Sequence, residues 1–302
     1  MAAVSRLRRD PALASLVLQD RDLAVLADLA LFRFASTPAL LRTAAWVAGG
    51  DGLQYFAKRL TALWRAGVVE RFAGRQSSYL SGSTCFVYTI GSGKATAAAR
   101  TGIHPTALSA DRWRDVLREA APARDRARDA LRCIGMEAPA IERLLHNNTE
   151  LALKYYAGQT SGVRHRLLAA DALSRIWFDA RMHGDAVEDI QPDGVADLSF
   201  RDPDPRRSHD LITREGLVPI RPDCLFTIAR TRYALEAETG TVSAAKLLLK
   251  LRRYARRLAL DPTVRLVLAC ASALHAARVR FLLAQVSTDL ERAAQVHVAN
   301  AT

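Results

Sequence analysis

Acidic residues stand at the ends of two predicted strands in the second half of the chain. Asp223 opens the apolar run Cys224–Ala229, and Glu236 and Glu238 end the run Tyr233–Ala237. The spacing between Asp223 and Glu236 suits neighbouring strands joined by a short turn, and side chains two positions apart share one face of a strand. Carboxylates that converge at sheet ends are the ligands Mg²⁺ takes. We therefore predict that these three acids bind Mg²⁺.

A predicted helix follows the second strand and adds a positive charge. Ser243 is expected to cap it, and it extends to about Leu260. Lys250 lies one turn before Tyr254, so its long side chain can point back over the strand ends. A metal lowers the pKa of a bound water, and a nearby ammonium offsets charge in phosphodiester displacement. The predicted catalytic set is Asp223, Glu236, Glu238 and Lys250.

Two other interpretations of these residues stay open. Lys246, Lys250, Arg253 and Arg257 recur at helical spacing and can equally form a solvated basic face. Glu236 and Glu238 can be ordinary exposed charges, although glutamate is disfavoured inside a strand. His165, near the start of an earlier predicted helix, is interpreted as a structural residue and is not placed in the catalytic set.

The motifs P-D at residue 223, E-x-E-T-G-T from Glu236 and K-x-x-x-Y from Lys250 resemble the PD-(D/E)xK nuclease superfamily, and its RecB-like branch most closely. The resemblance implies that Asp223 and Glu236 bind metal and that Tyr254 is the supporting helix tyrosine. Glu238 stands where the superfamily has its catalytic lysine, and Lys250 stands where the branch has glutamine. The resemblance thus leaves open a Mg²⁺-dependent DNA endonuclease or an inactive nuclease fold kept for binding or dimerisation.

The first hundred residues show the pattern of a winged helix-turn-helix. Two helices are expected over 21–34 and from Thr37-Pro38, and a third follows Asp51, with apolar residues at helical spacing up to Gly67. A short strand at 68–72, a Gly/Ser-rich loop and a β-branched strand at 85–90 come next. Strand, basic loop and strand after three helices is the arrangement of a winged helix, so we predict this fold.

The outward face of the third predicted helix carries amide and basic groups. Such a helix fits the DNA major groove, where base edges and phosphates accept hydrogen bonds, and an arginine on the wing can reach a phosphate or the minor groove. The alternative is a solvated face on a winged helix that binds protein. The predicted DNA-binding residues are Gln54, Tyr55, Lys58, Arg59, Arg65 and, on the wing, Arg75.

Composition favours a polyanionic partner. The 302 residues include 43 Lys or Arg and 31 Asp or Glu, which gives a net charge of +12. Nucleic acid is the expected partner, and an anionic membrane surface is the weaker alternative. No apolar run approaches the roughly 20 residues of a membrane-spanning helix. The 4 cysteines form no C-x-x-C pair, which argues against a zinc ribbon and favours a reducing, cytoplasmic location.

The expected fold class is α+β. We predict a winged helix DNA-binding domain over 1–105, a helical spacer over 106–162, and an α/β nuclease-like domain with a mixed central sheet over 163–302. Together the parts resemble the replication-relaxation family of plasmids and mobile elements. This resemblance implies replication or mobilisation of such an element, with double-stranded DNA, a second copy of the chain, and a replication protein or relaxase as candidate partners. The alternative is a winged-helix transcription regulator whose nuclease-like domain has no activity.

Overall fold

A computed structural model describes residues 17–44, 53–73, 86–91, 124–156, 161–207, 210–213, 215–286, 290 and 294–298. Within these ranges, residues up to Val163 form one compact unit and residues from Arg164 onward form another. Both units combine helices with a β-sheet, which confirms the α+β class expected from the sequence. None of the described helices has the length and apolar character needed to cross a membrane.

The first unit combines helices with a small antiparallel sheet. Its helices are α1 (Asp20–Phe32), α2 (Thr37–Ala44), α3 (Leu53–Arg65) and α4 (Ala138–Tyr156), and residues 124–133 are also helical. Its strands are β1 (Ala35–Ser36), β2 (Val69–Ala73) and β3 (Phe86–Ile90), in the order β1-β3-β2. The three predicted N-terminal helices and the strand pair after them are present. Strand β1 was not predicted, because two residues carry no alternation pattern.

The apolar face of α3 explains why this helix packs inward. Phe56, Leu60 and Leu63 are buried at helical spacing. Gly67 follows with a φ of 78°, in the left-handed region that favours glycine, and ends the helix as predicted. The sequence favours Thr37, just before Pro38, as the cap of α2. The structure shows that this is wrong, because the amide of Ala39 donates to the hydroxyl of Ser36 at 3.3 Å, which makes Ser36 the cap.

The region predicted as a spacer belongs to the first unit wherever the structure describes it. Leu131 and Leu145, in two successive helices of this region, are buried. Arg126 donates from Nε to the carbonyl of Ala66, just after α3. These helices therefore pack as part of the first unit instead of forming a separate connecting segment.

The second unit is built around a five-stranded mixed sheet. Its helices are α5 (Ser161–Met182), most of which lies in this unit, α6 (Ala244–Leu260) and α7 (Ala273–Val286), with a 3-10 turn at Pro205–Arg207. Its strands are β4 (Val187–Pro192), β5 (Phe200–Arg201), β6 (Leu217–Val218), β7 (Cys224–Ile228), β8 (Thr231–Glu238), β9 (Val264–Cys270) and β10 (Ala294–Val298). The large sheet has the order β10-β9-β8-β7-β4, and β5 pairs with β6.

The strand directions confirm the predicted mixed sheet. Strands β8, β9 and β10 run parallel to one another, whereas β7 is antiparallel to both of its neighbours. The hairpin of β7 and β8 turns through Ala229 and Arg230, both at positive φ (47° and 66°), as in the two-residue turns that match strand twist. This turn sets Cys224 opposite Leu235. Asp223 consequently lies beside Glu236 at one end of the sheet.

Helix α6 is fixed against the sheet by one apolar face. Leu247, Leu251 and Leu258 are buried in the core of this unit, together with the ring of Tyr254. Ser243 caps the helix as predicted, accepting from the amide of Lys246 at 3.4 Å. Tyr254, on this buried face, and Lys250, one turn earlier, both point to Glu236 near the end of β8.

Candidate functional site

Asp223 is held between a helix and a strand. Its Oδ1 lies 2.7 Å from Nε2 of His165 in α5, and its Oδ2 accepts from the amide of Ala237 in β8 at 2.7 Å. The side chain of Asp223 is 14% exposed and that of His165 is 37% exposed. The aspartate is therefore an internal anchor, and the histidine ring that it orients remains partly open to solvent.

Glu236 occupies the centre of the site. Its side chain is 3% exposed. Its Oε1 accepts from the hydroxyl of Tyr254 at 2.7 Å, and its Oε2 accepts from Nζ of Lys250. Residues four positions apart lie on one face of a helix, so α6 delivers both donors to the same carboxylate. We call His165, Asp223, Glu236, Lys250 and Tyr254 the β7–β8 cluster.

Burial and charge act against each other in the centre of this cluster. Burial raises the pKa of Glu236 to about 7, although the charge of Lys250 opposes the rise. Burial lowers the pKa of Lys250, but the charges of Glu236 and Asp223, together with the hydrogen bond to Glu236, outweigh it, so the net pKa is raised. Burial also raises the pKa of Tyr254 well above its usual value. The ammonium of Lys250 therefore stays charged at neutral pH, and Tyr254 stays a hydrogen-bond donor.

The His165–Asp223 pair favours the charged form of both side chains. Burial lowers the pKa of His165, but the hydrogen bond and charge of Asp223 outweigh it and leave the pKa above its usual value. Burial raises the pKa of Asp223, but His165 and Lys250 outweigh it and leave the pKa below its usual value. The imidazole of His165 is therefore held in place by Asp223, and its proton affinity depends on the charge of that carboxylate.

Glu238 is turned to a different partner. It ends β8, and its Oε1 accepts from the amide of Gly240 at 2.7 Å. Gly240 has a φ of +81° and lies against the ring of His275, so this position has no room for a side chain. Among the residues that the structure describes, no three His, Cys, Asp or Glu side chains are grouped as ligands of one metal ion. The predicted three-carboxylate arrangement is thus not assembled, and we assign no chemical step to a metal.

The structure brings together four residues from the predicted set and adds one. Asp223, Glu236, Lys250 and Tyr254 meet at the end of the β7–β8 hairpin. His165 was interpreted as structural, yet it contacts Asp223 across 58 positions of sequence. The sequence places His165 on an amphipathic helix before the P-D motif, but this pattern does not show that the histidine is close to Asp223.

The predicted DNA-binding residues of α3 divide into two groups. Gln54, Tyr55, Lys58 and Arg65 are exposed, and three of them, at positions 54, 58 and 65, lie on one side of the helix because their spacing is close to whole turns. We call Gln54, Lys58 and Arg65 the α3 stripe. Tyr55 lies beside this stripe, 52% exposed, with the guanidinium of Arg21 4.8 Å from its ring centre.

Arg59 does not share that exposed surface. Its Nε donates to Oδ1 of Asp22 at 2.8 Å and its guanidinium donates to the carbonyl of Val17 at 2.8 Å. The Asp22 side chain is fully buried, and a buried carboxylate requires a paired charge. This requirement explains why Arg59 turns toward α1 instead of outward. Arg75 lies outside the described residues.

Comparison with known proteins identifies no family or function for this chain. No family model matches the chain, and no curated protein or solved structure matches it either. The geometry of the β7–β8 cluster and the α3 stripe therefore carries the functional argument.

The anchored imidazole leads to a pH prediction. We expect the pKa of His165, followed by NMR in the presence of EDTA and assigned with His165→Gln, to lie above the ordinary value of about 6.5. In Asp223→Asn the partner charge is gone while burial remains, so the pKa should fall below that value. Because the folded-state pKa is raised, the stability this histidine contributes should be lost as pH rises through that pKa. An identical pKa in wild type and Asp223→Asn would contradict the pairing.

Proposed function

We propose that the protein binds double-stranded DNA through the α3 stripe and that the β7–β8 cluster acts on a phosphodiester bond of DNA. The observation that carries the proposal is the convergence of two buried acids with a lysine, a tyrosine and a histidine from separate elements. Burying charges costs stability unless they are paired, and clustered side chains with shifted pKa values are characteristic of functional sites.

The exposure of each member suggests its role. Lys250 and His165 have side chains that are 41% and 37% exposed, so a phosphate can reach them. Glu236 and Asp223 are covered and hold these two cations. We assign Lys250 the stabilisation of phosphate charge in the transition state. As water attacks the phosphorus and the bond to the leaving oxygen breaks, we assign charged His165 the donation of its Nδ1 proton to that oxygen, since its Nε2 is bound to Asp223. The proton of the attacking water passes to solvent.

Glu236, Asp223 and Tyr254 are positioning residues in this scheme. Tyr254 donates to one carboxylate oxygen of Glu236, which leaves the other oxygen directed at Lys250. Asp223 fixes the imidazole ring through Nε2. This arrangement fixes both reactive groups before a substrate binds, which is the condition under which electrostatic stabilisation is effective.

The first unit supports the DNA-binding part of the proposal. Its element order and its β1-β3-β2 sheet agree with the winged helix expected from the sequence. The α3 stripe offers an amide and two cations on one side of a helix, as a major-groove contact requires. The net charge of +12 adds non-specific attraction to DNA. The resemblance to the replication-relaxation family extends the proposal to replication or mobilisation of a plasmid or mobile element.

A transcription regulator without catalytic activity is the second candidate. The observation that favours it is the ion pair of Lys250 with Glu236, because a neutralised lysine stabilises a phosphate less than a free one. In this case the second unit would serve binding or dimerisation.

Substitutions in α3 test the DNA-binding surface. Lys58→Ala combined with Arg65→Ala should weaken binding to a duplex and reduce the slope of log affinity against log salt by about 1.8, since two phosphate contacts are lost. Arg132→Ala is the matched control, because this exposed arginine in the same unit pairs with Asp129. An unchanged slope in the double variant would show that α3 is not the contact surface.

Arg59→Ala should act through stability instead. It leaves Asp22 buried without its counter-charge, so the free energy of unfolding should fall by about 3 kcal/mol, whereas Lys58→Ala should change it by less than about 0.5 kcal/mol.

Cleavage of supercoiled plasmid DNA separates the two candidate functions. Reactions would contain Mg²⁺, Mn²⁺ or EDTA, so that comparison of the rates shows whether cleavage requires a metal ion. We expect wild type to give nicked or linear product, and Lys250→Met and His165→Gln each to reduce the rate about 100-fold or more. His183→Gln, which alters an exposed histidine at the end of α5, should keep the wild-type rate. No product from wild type in any reaction would favour the regulator.

A further inference from the structure

The basic residues of α6 are unequally paired. Four of them contact acids: Lys250 with Glu236, Arg252 with Asp210, Arg256 with Asp202 and Arg257 with Asp261. The remaining two, Lys246 and Arg253, form no ion pair with any residue that the structure describes. The lack of an acidic partner among the described residues leaves these two cations available to a ligand, on a side of α6 that also carries the paired Arg257.

The unpaired residues lie on the side of α6 that carries Lys250. Spacings of four and three positions place Lys246, Lys250 and Arg253 along one face of a helix. We call these three residues the α6 stripe. Because Lys250 contacts Glu236 inside the β7–β8 cluster, the stripe passes directly beside that cluster.

Arg253 has an unsatisfied donor. Its side chain is half-buried, and its Nε is buried without a hydrogen-bond partner among the described residues. A buried donor without an acceptor costs about 1–3 kcal/mol, so the Arg253 side chain gains stability if it turns to meet an acceptor supplied by a ligand. The planar guanidinium matches phosphate oxygens. Lys246, which is exposed, is a flexible point charge of the kind that contacts phosphates without fixed geometry.

We infer that the α6 stripe binds the sugar–phosphate backbone of one DNA strand and leads it to the β7–β8 cluster. At about 1.5 Å per residue the stripe extends about 10 Å along the helix, which is long enough to contact more than one phosphate of a strand. The inference rests on the proposed function for the phosphate that reaches Lys250. Backbone contact by Lys246 and Arg253 can be measured without cleavage.

The salt dependence of binding to a fluorescent single-stranded 20-nucleotide DNA tests the inference. The full chain would be used with EDTA, in the Lys58→Ala/Arg65→Ala background, so that α3 contributes nothing to the differences. Adding Lys246→Ala and Arg253→Ala should reduce the slope of log affinity against log salt by about 1.4, because each lost contact on a single strand changes it by about 0.7.

The matched control removes two exposed arginines elsewhere in the unit. Arg230 lies in the β7–β8 turn and Arg252 lies on another side of α6, 52% exposed. Arg230→Ala/Arg252→Ala should keep the background slope. An unchanged slope for Lys246→Ala/Arg253→Ala, or equal losses in both double variants, would overturn the inference and leave an ordinary solvated basic face. Thermal unfolding would verify that all variants fold alike.

His165→Gln separates this inference from the proposed function. It should reduce cleavage about 100-fold or more, whereas adding Lys246→Ala and Arg253→Ala to it should still reduce the slope for single-stranded DNA by about 1.4, because these two residues bind the strand whether or not His165 contributes a charge. Absence of cleavage in wild type together with the expected loss of slope in Lys246→Ala/Arg253→Ala would contradict the proposed catalysis and retain the binding stripe.

Discussion

The second unit is organised around the buried carboxylate of Glu236. A carboxylate removed from water is unstable unless hydrogen bonds and an opposite charge compensate it, and α6 supplies both through Tyr254 and Lys250. The same contact also fixes the long, flexible side chain of Lys250 at the solvent-exposed edge of the site. One interaction thus couples the packing of α6 on the sheet to the position of a functional charge.

The same physical rule recurs at two other places in the protein. Asp223 fixes His165 through a hydrogen bond, and buried Asp22 fixes Arg59 in the first unit. The outcomes differ in exposure. Lys250 and His165 remain partly open and can meet a ligand, whereas the Arg59 side chain is only 16% exposed and supports the packing of α3 against α1. A buried acid requires a cation beside it, and the exposure of that cation determines whether it can also contact a ligand.

Sequence patterns predicted the parts of the site that are close in the chain. Asp223 and Glu236 were placed together because a short turn between two apolar runs forces their strands to be neighbours, and helical spacing brought Lys250 and Tyr254 to one face. Glu238 shares the strand face of Glu236 by alternation, but the turn at Gly240 gives it a backbone partner, which alternation does not reveal.

Long-range contacts explain the remaining differences. His165 reaches Asp223 from a distant helix, and Arg59 turns from the outer face of α3 because Asp22 is buried in α1. Strand β4 was not predicted because Val187–Pro192 mixes acids with apolar residues and is largely open to solvent at its acidic positions. Periodicity describes which side of an element is apolar, and it contains no information on a single charged partner far along the chain.

A double-mutant cycle between Glu236 and Lys250 tests the central claim most directly. The free energy of unfolding would be measured in urea, at a pH above the value of about 7 to which burial raises the pKa of Glu236, for wild type, Glu236→Met, Lys250→Met and the double variant. Lys250→Met should cost about 3 kcal/mol because it leaves Glu236 buried without its counter-charge, and Glu236→Met should cost about 1 kcal/mol because Lys250 is partly solvated. The double variant should lose at most about 2 kcal/mol, because it leaves no buried charge without a partner. A loss equal to the sum of the two single losses would contradict the pairing of Glu236 with Lys250.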